Sequence, residues 1–226
     1  MPARNIAFEI EPEVAAAAPR LTEIIVTADI SNPPTPDALW AEITAAAARV
    51  RETTPMEMVN KRLSVAAIRA AYKALGKEPN RYRPSSEALC RRCVKGLELY
   101  RSLAVIDLIN LISVLTGHSI GGFDLDKVQG DTVRLGVGRE GEPYEAIGRG
   151  QLNIHCLPVI RDAAGGIGTP TSDNDRTKLS PETTALLMTI HLYSGPDDAD
   201  DVEALTRRLL TEYASARNIT FTRYTH

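Results

Sequence analysis

The sequence predicts an α+β fold in which a helical N-terminal half packs on a mixed or antiparallel sheet. Apolar residues recur at helical spacing from about residue 37 to residue 116, whereas after Ile120 they fall into short runs separated by glycine-bearing turns. Helices come first and strands follow, with no repeating strand–helix–strand unit and no internal repeat of fixed period. A chain of 226 residues with 43% hydrophobic composition can bury an ordinary globular core, which excludes disorder of the whole.

Residues 5–31 read as strand-rich, because Ile6, Phe8 and Ile10 alternate with other neighbours and Glu23 to Ile30 contains a β-branched run. Asn32-Pro33-Pro34-Thr35-Pro36 breaks the chain, and Thr35 or Pro36-Asp37 opens a helix carrying Leu39, Trp40 and Ile43 to about Val50. A second helix is predicted from Pro55 to Leu75, with Gly76 as its C-cap glycine. Ser85 or Ser86 is placed to cap a third, which runs through Glu87 and Leu89 to Val94. The fourth starts near Ser102 and is apolar nearly all round up to Gly117, so it should be buried. Strands are predicted at Thr132–Val137, Tyr144–Ile147, Leu157–Arg161 and Leu186–Tyr193, then a helix at Ala199–Ala216 and a final strand around Ile219–Phe221.

Net charge is −3, so no global positive field marks a non-specific nucleic-acid binder. The charge is unevenly placed. Eleven cations lie between Lys61 and Arg101 against Glu78, Glu87 and Glu98, while Asp197, Asp198, Asp200, Asp201 and Glu203 gather at the start of the last helix, where the dipole favours them. No run approaches the roughly 20 apolar residues of a membrane span, and residues 1–13 are too charged for a signal peptide, so a cytoplasmic location is expected. Three cysteines fit reduced thiols better than a disulfide framework.

Several local motifs carry little chemistry. Cys90-Arg91-Arg92-Cys93 has the spacing of a zinc half-site, but no second pair supplies the other ligands, and no metal or cofactor is implied. Residues 163–169 are glycine-rich yet lack the Gly-Lys-Ser/Thr ending of a phosphate loop and are read as a loop. Asp124 and Asp126 flank Leu125, so on extended backbone their carboxylates share a face, while an Asx-turn role competes with that reading. Ser172-Asp173-Asn174-Asp175-Arg176-Thr177-Lys178 has the composition of a ligand-binding loop or of an ordinary surface turn.

One longer pattern is more specific. Ile106-Asp107-Leu108-Ile109-Asn110, then Thr116-Gly117, then Gly121-Gly122-Phe123-Asp124-Leu125-Asp126-Lys127 resembles the B3/B4 domain of the beta subunit of bacterial phenylalanyl-tRNA synthetase. Arg81 to Leu89 and Ser172 to Thr177 resemble the free-standing branch of that family. The resemblance covers residues 81–195 and implies a B3/B4-like core there. Residues 1–80 are then an N-terminal α+β portion packed on it, and residues 196–226 a helix and strand completing the same domain.

In the synthetase the domain is a second sieve that hydrolyses tyrosine wrongly esterified to its tRNA. An apolar active site rejects an added hydroxyl by only about a hundredfold, so a second site is needed. The resemblance thus implies a protein that binds tRNA or aminoacyl-tRNA and hydrolyses a mischarged ester in trans, with a non-catalytic tRNA-binding or small-molecule-binding module as the alternative. The family pattern has a Thr-Asn pair and a later His. Here Asn110 matches the Asn, Ile109 stands in the place of the Thr, and Gly121 in that of the His. No acid between Thr183 and Ser194 matches the family's hydroxyl-reading Glu, so tyrosine specificity is not implied.

An ester needs no protein nucleophile if donors and a water are well aimed. The expected catalytic set is Asn110, His118 replacing the missing His, and the backbone of Gly121 and Gly122. Asp124, Asp126, Ser172, Asp175, Arg176 and Thr177 are expected to bind substrate, and Arg81, Arg83, Arg91, Arg92 and Lys95 to meet tRNA phosphates.

Overall fold

The computed structural model describes residues 6–226 and contains three layers: helices, a four-stranded sheet and a five-stranded sheet. The chain enters through strand β1 (Ala7–Ile10), a short helix α1 (Pro12–Ala17) and strand β2 (Thr22–Asp29), all of which fall inside the strand-rich prediction except α1. Helix α2 (Asp37–Thr53) follows the proline break as expected.

The helix predicted over 55–75 is divided. Residues Met56–Lys61 form a 3-10 turn, Arg62 is extended, and helix α3 (Leu63–Ala74) follows. The break has a use: the Arg62 guanidinium donates to the carbonyls of Val114 and Leu115, satisfying the end of a neighbouring helix. Gly76 takes the left-handed conformation after α3, as its predicted capping role requires.

Helix α4 (Ser85–Val94) is entered through Pro84, with no side-chain cap. Neither serine serves as its N-cap, because Pro84 already fixes the entry angle; Ser85 N–H goes to the Pro170 carbonyl and Ser86 bonds Ser119. Helix α5 (Ala104–Thr116) is buried as its all-round apolarity predicts, with Leu108, Leu111 and Ile112 sealed among α2, α4 and α6 (Ala199–Tyr213). Each such side chain contributes about 1.5–3 kcal/mol by leaving water.

After α5 the chain runs through β3 (Ser119–Asp124), β4 (Thr132–Val137), a small hairpin β5 (Glu145–Ala146) and β6 (Gly150–Gln151), then β7 (Pro158–Asp162), β8 (Gly165–Thr169), β9 (Ser172–Asp173), β10 (Ala185–Leu192) and, after α6, β11 (Arg217–Tyr224). The sheet orders are β11-β2-β10-β3 and β1-β4-β7-β8-β9, and β1–β4 is the one parallel pair among them.

Alternation assigns the two faces of the four-stranded sheet. Ile24, Val26, Met188 and Ile190 meet the helices, whereas Ile25, Phe123, Leu187 and Tyr193 meet the five-stranded sheet. The predicted loop at 163–169 is mostly strand β8. Its glycines make room across the interface: a Cβ at Gly168 would lie 2.5 Å from the Phe123 ring, and one at Gly166 3.0 Å from the Tyr144 ring. No helix of the described residues is long and apolar enough to cross a membrane.

Candidate ligand-binding cleft

Strand β3 is the edge of its sheet, and its free side faces β8 and β9 at the edge of the other. Helices α4 and α5 cover this junction, leaving a cleft of about 250 Å³. Asn110 reaches it from α5, Gly122 from β3, Ser172 and Asp173 from β9, and Ser85 from the start of α4. Ile106, Ile109, Ile120 and Leu179 supply an apolar wall, with Ile147 exposed at the rim.

Gly122 lets the apolar wall close against the strand, since a Cβ there would lie 2.5 Å from Ile109 Cδ1 and 3.2 Å from Leu179 Cδ1. Its N–H donates to Asp173 Oδ2 at 3.2 Å, so an unpaired sheet-edge amide is satisfied by a side chain. Asp173 is partly buried and lines the cleft. Burial pushes its carboxyl up to about 7, against the opposing pull of the Gly122 N–H and of His191. A carboxyl poised there changes charge near neutrality, as few acids do.

Of the predicted catalytic residues, Asn110 and Gly122 share the cleft; Gly121 and His118 do not line it. Strand alternation turns Gly121 to the opposite face, where a Cβ would meet Phe123 and Thr189. His118 is buried with Nε2 2.8 Å from Asp198 Oδ2, at the start of α6, and it cannot stand in for the missing His. The left-handed turn at Gly117 sends the chain that way. Moreover, Gly122 N–H is already committed to Asp173 and is not a vacant oxyanion donor.

Among the predicted substrate-binding residues only Ser172 lines the cleft. Asp124 and Asp126 do not share a face, because the strand ends there in a 3-10 turn: Asp124 accepts from Asp126 N–H and Thr183 Oγ1 and pairs with Lys127, while Asp126 is exposed. Asp175 pairs with Lys178 at 2.9 Å, and Arg176 grips Asp162 with both terminal nitrogens at 2.9 and 2.7 Å. Thr177 is buried, its Oγ1 without a partner among the described residues. Of this segment, sequence reasoning missed Lys178 and, with more consequence, Asp173. Its neighbour Ser172 was the available signal, but Asp173's environment comes from Gly122, far away in sequence.

The predicted tRNA-facing cations divide in two. Arg83 and Arg91, with Arg69, converge on the fully buried Glu87 at 3.5, 2.8 and 2.8 Å. Arg92 donates to the Glu98 carbonyl and lies over the Tyr100 ring, whereas Arg81 and Lys95 are exposed. Among the described residues no group of three His, Cys, Asp or Glu is arranged to hold a metal, and Cys90 and Cys93 are buried, free thiols of α4.

Comparison with known proteins adds the family. A search of curated protein sequences finds no match. Among solved structures, an N-terminal fragment of the phenylalanyl-tRNA synthetase beta-subunit from Pyrococcus horikoshii aligns over 100% of this chain, with a TM-score of 0.47 and 10% identity; the chain spans 56% of that fragment. A family model described as the B3/4 domain matches residues 67–214, a span that takes in α4, α5, β3, β8 and β9 and hence both walls of the cleft. The chain belongs to the B3/4 domain family.

Proposed function

We propose that the protein binds the aminoacylated end of a tRNA and hydrolyses the ester of a mischarged aminoacyl-tRNA in trans. The observation that carries this reading is the position of Asn110, the residue matching the family's Asn, inside a cleft with an apolar wall and a polar edge. The apolar wall takes the amino-acid side chain. The Asn110 amide orients the ester carbonyl or the attacking water, and the hydroxyls of Ser85, Ser113 and Ser172, which also line the cleft, are the remaining side-chain donors.

The acceptor end would approach past α4. Three arginines around one buried Glu87 leave net positive charge there, and Arg81 and Lys95 add exposed cations on the same stretch of chain. A dissociation constant unchanged between about 50 and 200 mM salt would count against phosphate contact.

The test is deacylation of a panel of correctly and incorrectly charged tRNAs. Selective loss of one ester is expected, reduced about a hundredfold or more by Asn110→Ala; undiminished activity in that variant would remove Asn110 from the machinery. A second reading, a binding module that retains its ligand intact, is favoured by the commitment of His118 to Asp198 and of Gly122 N–H to Asp173. Binding without ester loss across the panel would select it.

A further inference from the structure

We infer that the cleft selects ligands bearing a free primary ammonium group, and that Asp173 is the specificity-determining residue that reads it. The inference rests on the aminoacyl reading above and adds the part of the ligand that is recognised.

Glu87 has its three arginines, Asp162 has Arg176, Asp124 has Lys127, and Glu23 has His191. Asp107, another buried acid, is held by Thr35 Oγ1 and Ser102 N–H and does not line the cleft. Asp173 differs from all of these. It accepts one neutral N–H, from Gly122, and opens into a cleft whose other polar side chains are serine, threonine and asparagine, apart from Lys178. Lys178, the cation that could neutralise it, is turned to Asp175.

A carboxylate left without a countercharge in a largely apolar wall is costly unless the ligand supplies the cation. An ammonium answers with three donors, for which the carboxylate of Asp173, the amide oxygen of Asn110 and the hydroxyl of Ser172 are acceptors along the same polar edge. The adjoining apolar wall then receives an apolar side chain carried on the neighbouring carbon. An α-amino acid ester presents that pairing of groups, and an N-acylated one does not.

Few other charges face Asp173. Tyr144, whose hydroxyl donates to the Ser172 carbonyl, is a buried phenol kept neutral; His191 lies on β10, the strand beside β3, and is paired with Glu23; Lys178 is paired as described. Asp173 is therefore the group expected to titrate in the cleft near pH 7.

The experiment measures binding without hydrolysis. Amide-linked 3′-aminoacylamino-adenosine with an apolar side chain, and its N-acetyl counterpart, are titrated calorimetrically into the full chain. Wild type is expected to prefer the free amine by at least about tenfold, the scale of a charge-assisted hydrogen bond. Asp173→Asn, which keeps an acceptor for Gly122 N–H, is expected to erase the preference. As a second readout needing no variant, affinity of wild type for the free amine should rise from about pH 5.5 to 7.5 while that for the N-acetyl form stays flat. Equal affinity for the two forms, or binding of neither, overturns the inference. Retained discrimination with no deacylation would overturn the hydrolytic reading alone.

Discussion

Two carboxyls raised by burial, Glu23 on β2 and Asp173 on β9, have opposite surroundings. Glu23 is fully enclosed: both its oxygens lie 2.8 Å from His191 Nδ1 on the neighbouring strand, and burial pushes it above its ordinary range despite that partner. Asp173 makes no ion pair among the described residues, feels His191 only at a distance, and opens into the cleft. Burial raises both, so a raised carboxyl by itself does not mark a site; the absent partner and the opening do.

The contrast can be broken most severely at Glu23. Glu23→Ala leaves His191 without its partner beside Tyr193 and Thr189, whose hydroxyls already lack partners, and should cost roughly 3–5 kcal/mol in chemical denaturation. Loss under 1 kcal/mol would show the pair to be dispensable.

A smaller and pH-dependent effect is expected at Asp173. Because its folded-state value is raised to about 7, the folded chain holds the proton more tightly than the unfolded one. The contribution of Asp173 to wild-type stability should therefore fall as pH rises from about 4 through 7, and it is present in full only below the unfolded value. Asp173→Asn should remove that slope, matching wild type near pH 4 and exceeding it at pH 8 by about 1–2 kcal/mol, less than the shift alone implies because the cleft admits water. Parallel melting curves at both pH values would contradict the raised carboxyl.

The smallest effect sharpens the comparison by isolating position from composition. Asp175 lies two residues from Asp173 but is exposed in a surface pair with Lys178, so Asp175→Ala should change stability by no more than about 0.5 kcal/mol in chemical denaturation. Lost ammonium selectivity in that variant would mean that Lys178, once released, competes for Asp173.

These cases also show what the sequence could reveal. The buried α5 was legible because its apolarity runs all round the helix, and Asn110 because a family pattern marks it. Strand β8 was not, since Gly166 and Gly168 answer to the rings of Tyr144 and Phe123, a reason local sequence does not contain. Proximity in sequence misled at His118 and Gly121, where a left-handed turn and strand alternation carry neighbours of Gly122 to other surfaces. It misled again at Asp175 to Thr177, where one loop divides its polar groups among three environments.

Strand β2, near the start of the chain, is hydrogen-bonded on one side to β10 and on the other to β11. During synthesis it must wait, unpaired and apolar, until about 160 further residues have emerged before either neighbour exists. The sheet that carries β3, and with it one wall of the cleft, thus depends on contacts of very long sequence separation, the arrangement that slows folding. A nascent chain must then keep the Ile24–Val26 ridge from foreign strands until its own late-arriving neighbours cover it.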